Sequence, residues 1–180
     1  MKTVQVKDKT FAVSIPEKVI LEGVSKVAER INHDMADKDP LFIAVLNGAF
    51  MFAADLFKRI TIPCQISFVK LASYEGVCTT GKVKEVIGLN EDIVGRTVVI
   101  VEDIVDTGLT MQRLLETLGT RRPKEIHIAA LSVKEEKLKV KLNIDYKVMS
   151  IPNDFIVGYG LDYDGYGRNL ADIYTLVEDK

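Results

Sequence analysis

Residues 98–119, VVIVEDIVDTGLTMQRLLETLG, pass from an apolar run through two acids and a hydroxyl-bearing turn into a helical pattern. Residues 97–101 (TVVIV) are β-branched and apolar throughout, as a strand covered on both faces requires. Glu102 and Asp103 follow it, and then the turn Asp106-Thr107-Gly108-Leu109-Thr110 leads into a helix with Met111, Leu114, Leu115 and Leu118 on one side. A turn feeding a helix N-terminus presents free backbone N–H groups to an anion, here with two hydroxyls beside them. Gly108 lets the backbone bend tightly and approach a phosphate. Carboxylates would repel that phosphate, so Glu102 and Asp103 must face another part of the same ligand. Adjacent hydroxyls, as on a ribose, are donors that suit them. A sugar phosphate satisfies both halves of the loop. No lysine occupies the GKT or GKS position of an ATP-type phosphate loop. The plainer alternative is a solvated acidic turn that caps a helix.

On either side of this stretch, strand-like and helix-period segments alternate. Ser14-Ile-Pro-Glu17 has capping-box spacing and opens a helix with Ile20, Val24, Val27, Ile31 and Met35 on one face. Residues 41–46 (LFIAVL) read as a buried strand, followed by Asn47-Gly48 and a helical AFMFAADLFKRI. Residues 65–71, 126–132 and 146–150 are further strands, 73–84 a polar loop or hairpin, and FIVGY at 155–159 begins a glycine-rich tail. Apolar strands separated by amphipathic helices predict an α/β fold, an open and mostly parallel twisted sheet with helices on both faces. In such folds ligands bind beyond the carboxyl ends of the strands, where the turn at 106–110 lies.

Composition narrows the function classes. With 180 residues, 47% apolar and 28% charged, the chain has the balance of an ordinary globular domain. Its net charge of −2 and scattered lysines and arginines offer no footprint for nucleic acid or an anionic membrane. The opening MKTVQVKDKTF lacks the apolar core of a signal peptide, and no apolar run is long enough to span a bilayer. A cytoplasmic protein with reduced thiols at Cys64 and Cys78 is expected. His33 and His127 lack partners at zinc-ligand spacing.

Residues 98–110 resemble the phosphoribosyl-diphosphate (PRPP) motif of type I phosphoribosyltransferases, in which apolar residues precede two acids, two more apolar residues and a hydroxyl-and-glycine turn. Three further segments resemble the hypoxanthine-guanine branch of that family and extend the likeness over most of the chain. The resemblance implies the type I fold in one domain, residues 1–180, with a small hood of terminal segments to which residues from about 150 contribute. It also implies purine salvage: Mg²⁺-dependent transfer of the 5-phosphoribosyl group from PRPP to hypoxanthine or guanine, giving IMP or GMP and pyrophosphate.

Residue by residue, the resemblance assigns roles. Asp106 lies beside N7 of the base, where a carboxylate of ordinary pKa (about 3.9) can take or share the N7 proton. Asp106, Thr107, Gly108, Leu109 and Thr110 hold the 5′-phosphate, and Glu102 and Asp103 the ribose. Lys134, in AALSVK, reaches the 6-oxo group; an ammonium has donors only and would confront the amino group of adenine. Phe155 stacks on the purine, and Ile156 and Asp162 border it. Leu46, Asn47 and Gly48 form a pyrophosphate loop whose relatives carry a strained or cis peptide, expected here at Leu46–Asn47. Several relatives have a basic residue at the position of Asn47. Arg168 binds pyrophosphate through its planar fork, and Ser73 and Tyr74 belong to a closing loop on the same group. Glu102, Asp103 and Asp162 are the implied metal contacts. A homodimer or homotetramer is the expected assembly.

Without the family, Lys134 also reads as a surface lysine entering the polar run KEEK, and residues 154–170 as a glycine-rich turn whose tyrosines pack on the core. Two other functions compete. A regulator with this fold would want a basic face or a helix-turn-helix segment, and neither is visible. A metal-dependent phosphatase or phospho-acceptor could use Glu102, Asp103 and Asp106, but the threonine-bearing helix start suits phosphate binding better than phosphate attack.

Overall fold

The computed structural model describes residues 2–71 and 86–177. Among the described residues ten strands form two sheets, accompanied by three α-helices. The larger sheet has the order β5-β4-β3-β6-β7-β8. Its strands are β3 (Leu41–Leu46), β4 (Gln65–Leu71), β5 (Val86–Ile87), β6 (Thr97–Val105), β7 (Glu125–Val133) and β8 (Tyr146–Ser150). Five of them run parallel, and β5 pairs antiparallel with β4 at one edge.

Alternation along the central strands explains the two cores. Phe42 and Ala44 of β3 and Val99 and Val101 of β6 face one side, packing on Ile20, Val24, Val27 and Ile31 of α1 (Glu17–Asp34) and on Phe52 and Leu56 of α2 (Phe50–Phe57). Ile43, Val45, Val98 and Ile100 point to the other side, where α3 (Leu109–Gly119) covers them with Met111, Leu114 and Leu118. Both faces are therefore buried, as a parallel sheet requires.

The smaller sheet, order β1-β2-β10-β9, is antiparallel. It joins an N-terminal hairpin, β1 (Thr3–Val6) and β2 (Lys9–Ile15), to β9 (Ile156–Val157) and β10 (Ile173–Leu176). Val6, Phe11, Val157 and Tyr174 form its own small core. This is the expected hood of terminal segments.

Two local expectations need correction. The capping box does not form: α1 begins after Pro16 with no side-chain cap, and the Ser14 hydroxyl instead donates to the Ile173 carbonyl at 3.2 Å. The acceptor for the Glu17 amide is Asp172 Oδ1 at 2.8 Å, from the far end of the chain. Strand β6 does not stop at Val101 but carries Glu102 and Asp103 within its paired length. Within FIVGY, where the glycine-rich tail begins, Ile156 and Val157 form the short strand β9. The expected loop at 73–84 lies outside the described residues.

Candidate active site

Parallel pairing carries the ends of β3, β6 and β7 to one edge of the sheet. Glu102 is 8% exposed there. Burial first, and then the neighbouring Asp103 carboxyl, push its acid well above the usual carboxylate range. Asp103 Oδ1 accepts from the Ile104 amide at 2.8 Å, and its carbonyl accepts from the Ser132 hydroxyl at 3.0 Å. A side chain at Gly48 would run into the Asp103 carboxylate, so that glycine is what lets the loop after β3 lie against the acids. Gly160, at φ 99°, fits under the Gly48 carbonyl with the same intolerance of a Cβ. Two loops and the end of β6 thus meet where only glycine allows contact.

Beyond β6 the chain turns at Asp106, Thr107 and Gly108. Gly108 has φ 81°, and an added Cβ would approach Val140 and Leu142 at 2.9 Å. Gly108 supplies no side-chain cap to α3; the Leu109 amide makes a long bond to the Thr107 hydroxyl at 3.4 Å, and the amides after it in the first turn are open to an anion. A cleft of about 220 Å³ opens over this turn, lined by Glu102, Asp106, Thr107, Gly108 and Thr110 with apolar Val45, Leu71, Ile104, Val105 and Met111. Leu109 is exposed at its margin. Asp106 Oδ2 pairs with Lys137 Nζ at 2.9 Å, whereas Asp106 Oδ1 is shielded from solvent and takes no hydrogen bond among the described residues.

Lys134 directly follows β7 and is 8% exposed. Its amide donates to the Val105 carbonyl at 3.0 Å, which ties it to the strand bearing the acids. Its ammonium donates to the Asp154 carbonyl at 2.8 Å, immediately before Phe155. The Phe155 ring is 46% exposed and meets Tyr163 edge-on at 5.8 Å, with Phe11 tilted against it at 6.1 Å. An apolar ring face held open by other rings is a platform for a planar base. Ile156 beside it is half-buried in β9.

Asp162 and Arg168 bind each other at 2.7 Å; Asp162 also accepts from the Gly165 amide at 2.6 Å, and Arg168 donates to the Gly160 carbonyl at 2.7 Å. The Leu46–Asn47 peptide is cis, as expected, and the Asn47 side chain is exposed. Ser73 and Tyr74 lie outside the described residues. Among the described residues no three His, Cys, Asp or Glu side chains converge as a metal cage.

A family model described as the phosphoribosyl transferase domain matches residues 16–164. The chain is 40% identical over 164 residues to the hypoxanthine-guanine phosphoribosyltransferase of Streptococcus pyogenes serotype M3, covering 91% of each. It is 37% identical over 171 residues to the hypoxanthine phosphoribosyltransferase of Salmonella typhimurium, covering 93% of this chain and 96% of that one. The chain belongs to the hypoxanthine-guanine phosphoribosyltransferases. A crystal structure of a Bacillus anthracis hypoxanthine-guanine phosphoribosyltransferase superposes at a TM-score of 0.83 with 38% identity, over 92% of this chain and 96% of that one.

In this phosphoribosyltransferase the acids, the turn and the loop at 46–48 surround one strand end, and Lys134 and Phe155 share the next. Sequence reasoning did not single out Lys137, because its charged run KEEK reads as a solvated face. Nor did it single out the close approach of Gly48, Asp103 and Gly160, which joins residues remote in the chain. A glycine after each strand was the one available signal of that contact.

Proposed function

We propose that the chain transfers the 5-phosphoribosyl group of PRPP to hypoxanthine or guanine, releasing pyrophosphate and forming IMP or GMP in purine salvage. The supporting observation is the juxtaposition at neighbouring strand ends of a phosphate-type turn, two acids, and a base corner made by Lys134 and Phe155. The amides and hydroxyls of 106–110 hold the 5′-phosphate. Glu102 and Asp103 hold the ribose hydroxyls, Phe155 carries the purine, and Lys134 exchanges the Asp154 carbonyl for the 6-oxo group. Departure of pyrophosphate leaves oxocarbenium character at C1′. Arg168 and the amides of 46–48 meet the charge of the departing group. N9 attacks C1′ while Asp106 takes up the N7 proton.

The donor set suits magnesium, which takes few carboxylates and keeps waters, and the described residues offer no cage of three acids. Glu102 and Asp103 on one side and Asp162 on the other would hold Mg²⁺, which when bound neutralises charge on the diphosphate. We place the enzyme in the cytoplasm, acting as one domain over residues 1–180 in a homodimer or homotetramer. Among the described residues no helix is long and apolar enough to cross a membrane.

Incubation with PRPP, Mg²⁺ and each of hypoxanthine, guanine, xanthine and adenine tests the assignment. Release of pyrophosphate with hypoxanthine or guanine, and little with adenine, is the expected result. No release with any 6-oxopurine would remove it.

A further inference from the structure

We propose that Lys137 is a positioning residue for Asp106: its ammonium anchors one carboxylate oxygen and leaves the other, Oδ1, as the acceptor for the purine N7–H. The proposal rests on the oxopurine transferase reading and adds to it a residue outside the PRPP motif. Lys137 Nζ lies 2.9 Å from Asp106 Oδ2. Oδ1 of the same carboxylate is cut off from solvent and has no hydrogen-bond partner among the described residues. A shielded acceptor without a donor is unfavourable until one arrives, so a purine N–H gains more there than at a solvated carboxylate. An unanchored side chain would turn that oxygen to water and lose the advantage.

The anchor itself is held. Residues 135–137 form a single 3-10 turn closed by the Lys137 amide on the Lys134 carbonyl at 3.0 Å. Just beyond it, the Lys139 amide donates to the Thr107 carbonyl at 2.9 Å, stitching this segment to the turn that carries Asp106. Lys134, the other ammonium at this strand end, bonds the Asp154 carbonyl instead. Lys137 is 38% exposed and its partner 41%. An ion pair so open to water contributes little to stability, so a purely structural role predicts almost no effect of removing it.

The test is a kinetic cycle on the full-length enzyme. Lys137→Met keeps the stem and removes the charge; Lys137→Gln does so with a different shape, in case the first variant folds poorly. Loss of alignment should lower kcat for IMP formation about tenfold with KM for PRPP within about twofold, and Lys137→Arg should restore most of kcat. In an Asp106→Asn background, Lys137→Met should have no further effect, because it acts through Asp106. A kcat for both neutral variants close to that of the parent overturns the proposal. So does an equal loss in the Asp106→Asn background, or a loss that appears only in KM for PRPP. A parent enzyme that releases no pyrophosphate with any 6-oxopurine overturns the transferase reading itself, and this proposal with it.

Discussion

Asp106 and Lys134 stand at the ends of adjacent strands, joined by the Lys134 amide on the Val105 carbonyl at 3.0 Å. The roles proposed for them divide turnover from base choice. Asp106→Asn keeps the size of the side chain and its place in the turn but removes the proposed proton acceptor. Steady-state kinetics should show kcat lower by about 10²–10³, in the range of general-base contributions, with KM for PRPP altered by less than about threefold. Intact turnover would remove the base role. Lys134→Ala removes the donor proposed to face the 6-oxo group and leaves the Asp154 carbonyl without its partner. The ratio of kcat/KM for hypoxanthine over adenine should fall roughly 100-fold, the worth of one charged hydrogen bond. An unchanged ratio with unchanged base affinity would take Lys134 out of recognition. Both residues are legible in the sequence because each directly follows an apolar strand. Their resting partners are not: Lys137 lies 31 positions from Asp106 and Asp154 lies 20 from Lys134, separations that only the folded chain closes.

At the level of elements, period and length make the sheet and helices readable. Continuous apolar runs mark β3 and β6 as buried on both faces, and the spacing of Ile20, Val24, Val27 and Ile31 marks the inner face of α1. The hairpin of β1 and β2 escapes such a reading. Its turn carries Lys7 at φ 54° where glycine or asparagine would signal it, and its strands alternate short polar and apolar residues. The start of α1 is misread for a related reason. A capping box is a local pattern, but the acceptor that reaches the Glu17 amide belongs to Asp172. That carboxylate is held below its usual range by the Lys2 ammonium first and the Glu17 amide second. The hood strand β10 follows at once, so this contact fastens the hood to the sheet domain. Asp172→Ala should cost about 1 kcal/mol, the usual worth of an N-cap, most of it from the amide because the Lys2 pair is exposed. For a chain of this size that is a fall in Tm of about 2–4 °C. Lys2→Ala should lower Tm by clearly less. Equal losses from the two variants would assign the stability to the ion pair.

Across the whole molecule, the two ends of the parallel sheet have separate tasks. The carboxyl ends carry the site, and the amino ends carry a charge network that joins β6, β7 and the segment after α1. Glu125, at the start of β7, accepts from the Thr97 hydroxyl at 2.8 Å and pairs with Lys38 at 3.1 Å, and His127 Nε2 lies 3.3 Å from its carboxylate. The Thr97 hydroxyl first, then Lys38 and His127, hold its carboxyl down to about 2 against the burial that raises it. A carboxylate whose pKa is depressed on folding stabilises the fold above its unfolded value near 4.5, and that contribution fades as pH falls toward about 2. With its side chain 29% exposed, solvent screening reduces the gain to roughly 1–2 kcal/mol. Glu125→Gln keeps the volume and removes the charge. Urea unfolding at pH 7 should therefore find the variant less stable by that amount, with the gap shrinking below pH 4.5 and nearly closed at pH 2.5. Its rate of IMP formation at pH 7 should match the parent, because the substituted residue sits at the far end of the strands from the cleft. A gap that persists at pH 2.5 would mean that shape rather than charge holds this end together. A loss of activity with the fold intact would mean that the two ends of the sheet are coupled.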